Sequence, residues 1–455
     1  MKIQTINPAT KQILNEYDYM TKQEILDTLS KSKTAFESWK ELTYDQRKKY
    51  FSELSEFLEQ NKEEYAKLMT NEMGKPIKES IAEVKKCAHL SEFISENAEP
   101  WLQPEKFKAD GKEHLVRFDP LGPILLIMPW NFPFWQVFKV ALPPLFAGNT
   151  IILKHAKNVT GTALKINEIF ERIFPKNVFR TVVSDHETIN ELISKDELVG
   201  VSLTGSVSAG KRIAAQAGKY LKKTVMELGG SDPLIVLEDA DIKKAAKGAV
   251  LGRTLNGGQV CIASKRIIVH KNIEEEFKKE FVEEMKKLKI GDPLDYNTDI
   301  GPLANENAVK DMENFVENAV NLGARILTGG KRLKREGFFF EPTILDSTTP
   351  EMDAVCLETF GPVAPIIIAD SNEEAIVIAN NSEFGLSASI WTKDLEKGKN
   401  FASKIEAGSV FINSISKTHP NLPVGGIKNS GFGRELSRFG IREFTNIKSV
   451  NVYEG

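Results

Sequence analysis

Cysteine and histidine are scarce in this chain, and their scarcity limits its chemistry. The 455 residues include three cysteines, Cys87, Cys261 and Cys356, and six histidines. The cysteines lie far apart and form no Cys-x-x-Cys pair, so neither a zinc site nor a disulfide framework is expected. We therefore expect no bound metal. At most one of the three thiols is expected to take part in chemistry.

An excess of charge and long apolar runs are also absent. Basic residues number 60 and acidic residues 63, and the formal net charge is −3. Nothing in this balance favours nucleic acid or an anionic membrane as a partner. No run of about 18–20 apolar residues is present to span a bilayer, and the N-terminal segment has neither a secretory nor a transit pattern. These features predict a cytoplasmic protein whose ligands are small molecules, with no nucleic acid and no membrane among its partners.

Length and local patterns predict several α/β units. At ~100–200 residues per domain, 455 residues correspond to two to four domains. The first hundred residues are predicted to be mainly helical, and Thr21 with Glu24 and Thr43 with Gln46 have the spacing of capping boxes. Short apolar runs then alternate with helical segments, and strands are predicted at 123–128, 150–153, 178–183, 199–203 and 224–228. This alternation predicts a doubly wound parallel sheet of the nucleotide-binding kind.

A second α/β series follows Gly229. Its strands are predicted at 234–237, 266–270, 364–368, 386–391 and 409–412, and its helices at 274–289 and 372–380. The segment 420–434 is rich in glycine and proline and is predicted to be a loop. The run 447–453 and the strand 115–118 are expected to pair outside their own domain, for example with a partner subunit.

A small-residue turn follows the predicted strand 199–203. Its pattern approaches a P-loop, but Arg212 stands where a magnesium-binding Ser or Thr is required. The G-x-G-x-x-G fingerprint is also absent. The remaining feature is the turn Thr204-Gly205-Ser206 before a helix, whose first N–H groups suit a phosphate. A tight turn without a ligand is the alternative.

Three polar residues at strand ends or turns are candidates for catalysis. Cys261 follows a glycine pair and is a candidate nucleophile whose thiolate is expected to be favoured by nearby N–H groups. Glu227 ends an apolar strand, where partial burial raises a carboxyl pKa toward that of a general base. Asn131 lies between two prolines and offers a held amide NH₂ to an oxyanion. Cys87 and Cys356 are expected to be small buried side chains without a chemical role.

Five segments resemble, in order and approximate spacing, the aldehyde dehydrogenase superfamily. They are Trp130-Asn131-Phe132-Pro133, Thr204-Gly205-Ser206, Glu227-Leu228-Gly229-Gly230, Gly258-Gln259-Val260-Cys261 and Glu358-Thr359-Phe360-Gly361-Pro362. The resemblance extends from about residue 5 to residue 453. The short chain, with Met128-Pro129-Trp130 and Lys154-His155-Ala156, is most similar to the compact succinate-semialdehyde dehydrogenase branch.

The resemblance implies an architecture and a reaction. It implies a dinucleotide-binding domain (1–105 and 122–227), a catalytic domain (228–425) and an oligomerisation segment (106–121 and 433–455). Two doubly wound α/β domains and a small β flap are expected, in a homodimer or a dimer of dimers. The implied reaction is the NAD(P)⁺-dependent oxidation of a small aldehyde to a carboxylic acid, through a thiohemiacetal and a thioester on cysteine, without a metal.

The resemblance also implies roles for single residues. Cys261 would attack the aldehyde, Asn131 and the Cys261 backbone N–H would hold the oxyanion, and Glu227 would activate the hydrolytic water. Glu358 would bind the nicotinamide ribose, and Phe360 would pack near the nicotinamide. The expected cofactor-binding residues are Trp130, Lys154, Lys157, Gly205, Ser206, Leu228, Glu358 and Phe360.

Lys157 departs from the pattern of many NAD-preferring relatives, which carry Glu at this position. A cation in place of an acceptor carboxylate removes repulsion toward a 2′-phosphate. We therefore expect NADP⁺ to be used at least as well as NAD⁺. The alternative is that Lys157 points into solvent, as most lysines do.

The substrate positions depart from the longer succinate-semialdehyde dehydrogenases as well. Those proteins clamp the substrate carboxylate with two arginines, and the matching positions here are Lys139 and Leu255. Lys139, with Ser416 or Thr418, is expected to bind a distal carboxylate through one remaining cation. Succinate semialdehyde is the substrate that the resemblance implies.

Other substrates and other classes of protein stay open. Phe134 and Trp135 are expected to form an aromatic wall, which would also suit an apolar aldehyde and a general aldehyde dehydrogenase. A relative that transfers the acyl group to CoA or phosphate is disfavoured by Glu227, which suits water. A catalytically idle family member with a binding or structural role is disfavoured by the joint presence of Cys261, Glu227 and Asn131.

Overall fold

The computed structural model describes residues 2–454. Its helices, in chain order, are α1 (Lys22–Trp39), α2 (Tyr44–Gln60), α3 (Lys62–Met73), α4 (Ile77–Asn97), α5 (Trp135–Ala147), α6 (Thr160–Ile173), α7 (His186–Ile193), α8 (Val207–Lys219), α9 (Ile242–Thr254), α10 (Glu274–Met285), α11 (Glu306–Asn321), α12 (Asp353–Cys356), α13 (Asn372–Asn380), α14 (Leu395–Ala402) and α15 (Ser437–Arg442). Its strands are β1 (Lys2–Ile6), β2 (Ile13–Asp18), β3 (Glu105–Phe107), β4 (Glu113–Pro120), β5 (Pro123–Met128), β6 (Thr150–His155), β7 (Phe179–Thr181), β8 (Gly200–Thr204), β9 (Lys223–Glu227), β10 (Asp232–Val236), β11 (Ser264–His270), β12 (Arg325–Thr328), β13 (Thr343–Asp346), β14 (Val363–Ala369), β15 (Phe384–Gly385), β16 (Ser387–Trp391), β17 (Ser409–Ile412), β18 (Ile427–Lys428), β19 (Gly431–Phe432) and β20 (Thr445–Val452).

Helices α1 and α2 begin at the predicted capping boxes. The Thr21 side chain accepts a hydrogen bond from the backbone N–H of Glu24, whose carboxylate returns one to the Thr21 N–H. Thr43 and Gln46 repeat the arrangement at the start of α2. Each cap satisfies N–H groups that have no partner within the helix.

The first sheet brings two functional segments together. Its strand order is β19-β9-β8-β5-β6-β7, and β5 to β9 are mutually parallel. The chain runs outward from β5 through β6 to β7, then returns to β8 on the other side of β5. The connections therefore diverge between β5 and β8, where ligands of doubly wound sheets bind. Met128 ends β5 and Thr204 ends β8, so the segments 129–131 and 204–206 meet at this point.

The second sheet has the strand order β12-β13-β14-β11-β10-β16-β17. All neighbouring pairs are parallel except β12 with β13. The predicted α/β fold with parallel sheets is confirmed. Helix α11 and strands β12 and β13 lie in segments for which no element was predicted.

The C-terminal strand pairs within the chain. Strands β20, β4 and β3 form an antiparallel sheet, in which Val450 lies opposite Leu115. The segment 420–434, predicted as a loop, contributes the two-residue strand β19, which pairs with β9 so that Gly431 lies opposite Glu227. The domain boundaries stay a prediction. Among residues 2–454, no helix combines the length and the apolar character that a membrane crossing requires.

Candidate active site

The Cys261 loop has a backbone that few residue types can adopt. Asn256, Gly257 and Gly258 have consecutive positive φ angles of 53°, 64° and 76°. A Cβ atom at Gly258 would also lie 2.5 Å from the carbonyl oxygen of Gly361. Glycine is therefore required at Gly258 both by conformation and by the close approach of a second backbone segment.

Two buried cations hold this loop. Arg253, which is fully buried, donates hydrogen bonds to the carbonyls of Gly258 and Thr359, both at 3.0 Å. Lys265, also fully buried, donates to the carbonyl of Cys261 at 2.7 Å. Sequence reasoning missed both residues. For Lys265 the available signal was a basic pair at the start of an apolar strand, which implies buried charges that need acceptors.

Asn131 contacts the same loop. It is 3% exposed, and its Nδ2 donates to the Gln259 carbonyl at 3.0 Å. The Nδ2 of Asn256 donates to the Asn131 carbonyl at 2.7 Å. Because an amide NH₂ carries two hydrogens, one N–H of Asn131 remains for a ligand. The backbone N–H of Cys261 also has no hydrogen-bond acceptor among residues 2–454.

Cys261 lies in the walls of two cavities. One has a volume of about 420 Å³ and is lined by residues that follow β5, β8 and β9. The other, of about 250 Å³, lies against α4 and α5. Cys261, Gln136 and Thr204 line both. A thiol in this position is accessible to one ligand in each cavity.

The pKa values of Cys261 and Glu227 are both raised, which suits a thiol that loses its proton to a neighbouring base. Burial raises the pKa of the Cys261 thiol to about 11, although Lys139 and Lys265 oppose the shift. The thiol is therefore neutral near pH 7, and the expectation of a favoured thiolate is wrong. Burial, followed by the charge of Glu435, raises the pKa of Glu227 well above its ordinary value. A carboxylate of raised pKa is a stronger base.

Glu227 faces the smaller cavity. It ends β9, is 4% exposed, and its Oε1 atom has no hydrogen-bond partner. A Cβ atom at Gly425 would approach this Oε1 to 2.9 Å. The glycine therefore leaves room beside a carboxylate oxygen that is buried and available to a ligand or a water.

The other cysteines differ from each other. Cys87 is fully buried on α4, as predicted, and burial raises its pKa well above the ordinary value. Cys356 is exposed at the end of α12, so the prediction that it is buried is wrong. The short helix α12 presents this side chain outward because Ala354 and Val355 supply its buried face.

Most of the expected cofactor-binding residues line the larger cavity, of about 420 Å³. It is lined by Trp130, Gly205, Ser206, Leu228, Glu358 and Phe360, among others. The rings of Trp130 and Phe360 meet edge to face with centroids 5.8 Å apart. The Oε1 atom of Glu358 accepts hydrogen bonds from Lys265 Nζ at 2.8 Å and from the Gly230 N–H at 3.1 Å. These bonds leave Oε2 of Glu358 for a ligand hydroxyl.

The turn before α8 fits a dinucleotide. Ser206 caps α8, and its side chain accepts from the Ala209 N–H. A Cβ atom at Gly205 would meet only the Leu203 side chain, at 3.6 Å, so the protein itself does not require glycine there. The buried hydroxyl of Thr204 has no partner. An open helix N-terminus and a free hydroxyl match the needs of a bound phosphate.

Lys154 and Lys157 lie beyond the residues that line this cavity. Lys154 is 7% exposed, and burial, followed by the charge of Lys157, lowers its pKa to about 8. Lys157 is exposed, with its Nζ 5.6 Å from the ring centroid of Tyr19. Burial and the charges of Lys154, Arg212 and Lys157 lower the pKa of His186. Lys154, Lys157 and Arg212 therefore form a positive region near the start of α7, where His186 lies. Arg212 and His186 were not predicted to lie there.

Trp135 and Thr418 line the smaller cavity, as does Leu255. Phe134 does not: it is fully buried and stacks on Tyr65 and Phe138, with centroids 5.6 Å away in each case. The expectation that Phe134 forms part of an aromatic wall is therefore wrong. Phe134 immediately precedes α5 and points into the core, whereas Trp135 faces the cavity.

Two lysines line this cavity in different settings. Lys139 is 4% exposed and forms an ion pair with Glu435, with Nζ 2.5 Å from Oε2. Lys86, on α4, donates a hydrogen bond to the Thr418 hydroxyl, and its Nζ lies 4.1 Å from the Trp135 ring centroid. Sequence reasoning selected Lys139 and missed Lys86. No local signal distinguishes Lys86 from other helical lysines.

Comparison with known proteins decides the family. A model of the aldehyde dehydrogenase family matches residues 1–450. The chain belongs to the aldehyde dehydrogenase family. A probable NADP(+) succinate-semialdehyde dehydrogenase of Synechocystis sp. is 45% identical over 451 residues, with 99% of each chain covered. An NAD(P)+ succinate semialdehyde dehydrogenase of Escherichia coli is 42% identical over 447 residues, covering 98% of this chain and 97% of the relative.

A solved structure extends the likeness to the fold. The crystal structure of a succinic semialdehyde dehydrogenase from Streptococcus pyogenes, in complex with NADP+, matches with a TM-score of 0.97 and 35% identity. The match covers 99% of this chain and 100% of that chain. This aldehyde dehydrogenase is therefore an NAD(P)-dependent oxidoreductase that acts on aldehydes.

Proposed function

We propose that this aldehyde dehydrogenase oxidises succinate semialdehyde to succinate with NADP⁺, through a thioester on Cys261. The observation that carries the proposal is the position of Cys261 between two cavities. One has the donors and open helix end that a dinucleotide needs, and the other has apolar walls with lysines. The relatives named for succinate semialdehyde, at 45% and 42% identity, support the choice of substrate.

The first step is attack of the thiol on the aldehyde carbon. Because the Cys261 thiol is neutral at rest, a base must take its proton, and the carboxylate of Glu227 lines the same cavity. The sulfur–carbon bond forms as the carbonyl electron pair moves onto oxygen. The free N–H of the Asn131 amide and the backbone N–H of Cys261 stabilise that oxygen.

The second step is oxidation of the thiohemiacetal. A bound nicotinamide dinucleotide supplies the two-electron acceptor. Trp130 and Phe360 would enclose the nicotinamide end, and Glu358 would accept from its ribose. The phosphates would meet the turn at Gly205 and Ser206, with Leu228 packed beside them.

Hydrolysis of the thioester completes the cycle. Glu227 first releases the thiol proton to solvent. It then takes a proton from water as the oxygen attacks the acyl carbon, and the Cys261 sulfur leaves as a thiolate, which takes up a proton to restore the resting thiol. Overall, an aldehyde, water and the oxidised dinucleotide give a carboxylate, the reduced dinucleotide and two protons. The two members of the Lys139–Glu435 pair act on Glu227 in opposite directions, because Glu435 raises its pKa and Lys139 lowers it.

The positive region around Lys154 supports NADP⁺. Lys154 has no carboxylate partner among residues 2–454, and Lys157 and Arg212 bring further charge to the same place. A 2′-phosphate would neutralise these cations, whereas a ribose hydroxyl would not. The Synechocystis relative is named for NADP(+) and the Escherichia coli relative for NAD(P)+, which agrees with the use of NADP⁺.

An assay of dinucleotide reduction tests the function. Succinate semialdehyde and butanal, an uncharged aldehyde of equal carbon number, are compared with NADP⁺ and NAD⁺, with and without CoA. We expect a higher kcat/KM for succinate semialdehyde, NADP⁺ at least as effective as NAD⁺, and no dependence on CoA. Equal use of butanal would favour a general aldehyde dehydrogenase, which the apolar cavity walls at Phe132, Leu255 and Ile262 also suit.

The assembly and compartment belong to the same proposal. We infer a homodimer or a dimer of dimers, supported by the edge strand β20, on which Ile447 is 62% exposed. Sedimentation equilibrium should give the mass of two or four chains, and a single-chain mass would contradict the inference. We propose the cytoplasm as the compartment, because its reducing conditions keep a catalytic thiol such as Cys261 reduced.

A further inference from the structure

Helix α4 brings a lysine into the cavity that holds the reactive thiol. Lys86 lies in the middle of α4 and is partly buried against the cavity wall. Its ammonium group donates to the Thr418 hydroxyl and lies over the Trp135 ring, 4.1 Å from the centroid. Within residues 2–454 no carboxylate forms an ion pair with Lys86. The cavity therefore contains a cation without a counter-ion.

The other cations around this cavity are occupied or exposed. Lys139 is paired with Glu435 and lies close enough to the thiol to shift the pKa of Cys261. Lys417 is exposed at the surface. Lys139 therefore already has a carboxylate partner, whereas Lys86 has none among residues 2–454.

Three acidic groups line this cavity, Glu79, Glu83 and Glu227, and within residues 2–454 none of them forms an ion pair with Lys86. Glu83 forms a buried ion pair with Lys75. Its Oε1 atom also accepts from the backbone N–H groups of Phe134 and Trp135, each at 2.8 Å. This carboxylate is thus satisfied by three donors and turned toward the start of α5.

We propose that the Lys86 ammonium group, together with the Thr418 hydroxyl, binds the distal carboxylate of an ω-carboxy aldehyde. Helix α4 then supplies the charge recognition that the resemblance assigned to Lys139 on α5. The assignment rests on the proposed function, because it requires a substrate with a second charged end. The Trp135 ring excludes water from one side of the ammonium group, which strengthens its attraction for an anion.

The ratio of kcat/KM for succinate semialdehyde to that for butanal tests the assignment. Butanal has a methyl group in place of the distal carboxylate, so an effect of a variant on the reaction at the thiol cancels in the ratio. We expect Lys86→Met to lower the ratio about 10- to 100-fold, chiefly through KM, as for loss of a hydrogen bond to a charged group. Lys86→Arg should restore part of it. Lys85→Met, at an exposed position of the same helix, is the matched control and should leave it unchanged.

A pH profile of the wild-type protein gives a second readout that needs no variant. The titratable and charged groups around Lys86 are Glu79, Glu83 and Cys87 on α4, Lys139 on α5, Glu227 at the end of β9, Cys261, and Lys417 beside Thr418, which contributes a neutral hydroxyl. Burial lowers the pKa of Lys86 to about 8. Its charge is present below that value and lost above it, so the ratio should fall as the pH rises through it.

The possible results separate two failures. If the wild type prefers succinate semialdehyde but Lys86→Met keeps the full preference, the proposed function stands and the role of Lys86 is wrong. The same holds if the preference is insensitive to pH and is lost instead in Lys139→Met. If the wild type oxidises both aldehydes equally well, the proposed substrate class is wrong, and the role of Lys86 is overturned with it.

Discussion

At the scale of single residues, the reacting thiol and its base are matched by their ionisation. Burial raises the pKa of Cys261 to about 11 and that of Glu227 well above its ordinary value. A neutral thiol needs a base, and a buried carboxylate of raised pKa is a stronger base than an ordinary one. Burial is the largest cause of both shifts.

Replacing the base should separate the two halves of the reaction. Glu227→Gln removes the proton acceptor while keeping the shape, and steady-state kcat should fall about 10²- to 10⁴-fold. In the wild type kcat should rise with pH through the raised pKa of Glu227, because only the ionised carboxylate accepts a proton. Steady-state rates measured across this range check both effects. A variant that keeps the wild-type rate and pH dependence would exclude Glu227 as the base.

Lys157 should contribute to dinucleotide choice. We expect Lys157→Ala to lower kcat/KM for NADP⁺ about 10-fold and to leave that for NAD⁺ nearly unchanged, because the lost attraction acts on the 2′-phosphate alone. Lys176→Ala, at another exposed lysine, is the control. Initial rates with each dinucleotide measure the effect. A strong NAD⁺ preference that Lys157→Ala does not alter would remove the electrostatic argument.

The catalytic candidates were recognisable from local sequence. The residues that hold the loop or line the substrate cavity were not. Glu227 ends a strand, Asn131 follows one and Cys261 follows a glycine turn, so a short stretch of sequence reveals each of them. Lys86 acquires its setting from Thr418, 332 positions away in the chain. Arg253 likewise reaches the carbonyl of Thr359, 106 positions away. Contacts of this kind depend on the tertiary fold, so the pattern of apolar and polar residues within one segment does not predict them.

At the scale of elements, the backbone conformation of the loop 256–261 determines where the Cys261 thiol lies. Three consecutive residues with positive φ turn the chain from α9 toward β11. Arg253 and Lys265 fix the loop through its carbonyl groups. The strands around it were predictable because buried parallel strands form apolar runs. Helix α11 was not predicted, although Asn305 caps it, because its charged residues obscure the apolar face.

Two glycine substitutions test the importance of this loop. Gly258→Ala should reduce the free energy of unfolding by about 2 kcal/mol, since the left-handed conformation and the Gly361 carbonyl both oppose a Cβ atom. Activity should fall with it. Gly218→Ala, in α8, is the control, because a Cβ there meets nothing within 4 Å and alanine favours helix. Thermal unfolding with activity assays gives the comparison; equal behaviour of the two variants would contradict the role of the loop.

At the scale of the whole molecule, the site lies where separate parts of the chain meet. The first sheet supplies Asn131 and Glu227 from the ends of β5 and β9, and the loop before β11 of the second sheet supplies Cys261. Helix α4 and the loop that contains Thr418 close the smaller cavity. The alternation of strands and helices predicted the doubly wound sheets. The pairing of β19 with β9 was not predictable, since two-residue strands leave no pattern.

The central claim is that Cys261 carries the acyl group between oxidation and hydrolysis. The most direct measurement is intact-mass and peptide-mass spectrometry of Glu227→Gln after brief mixing with succinate semialdehyde and NADP⁺. We predict one succinyl group per chain, located on the peptide that contains Cys261, and none in the double variant Cys261→Ala with Glu227→Gln. Reduced dinucleotide formed without any acylated protein, or an acyl group on another residue, would contradict the account.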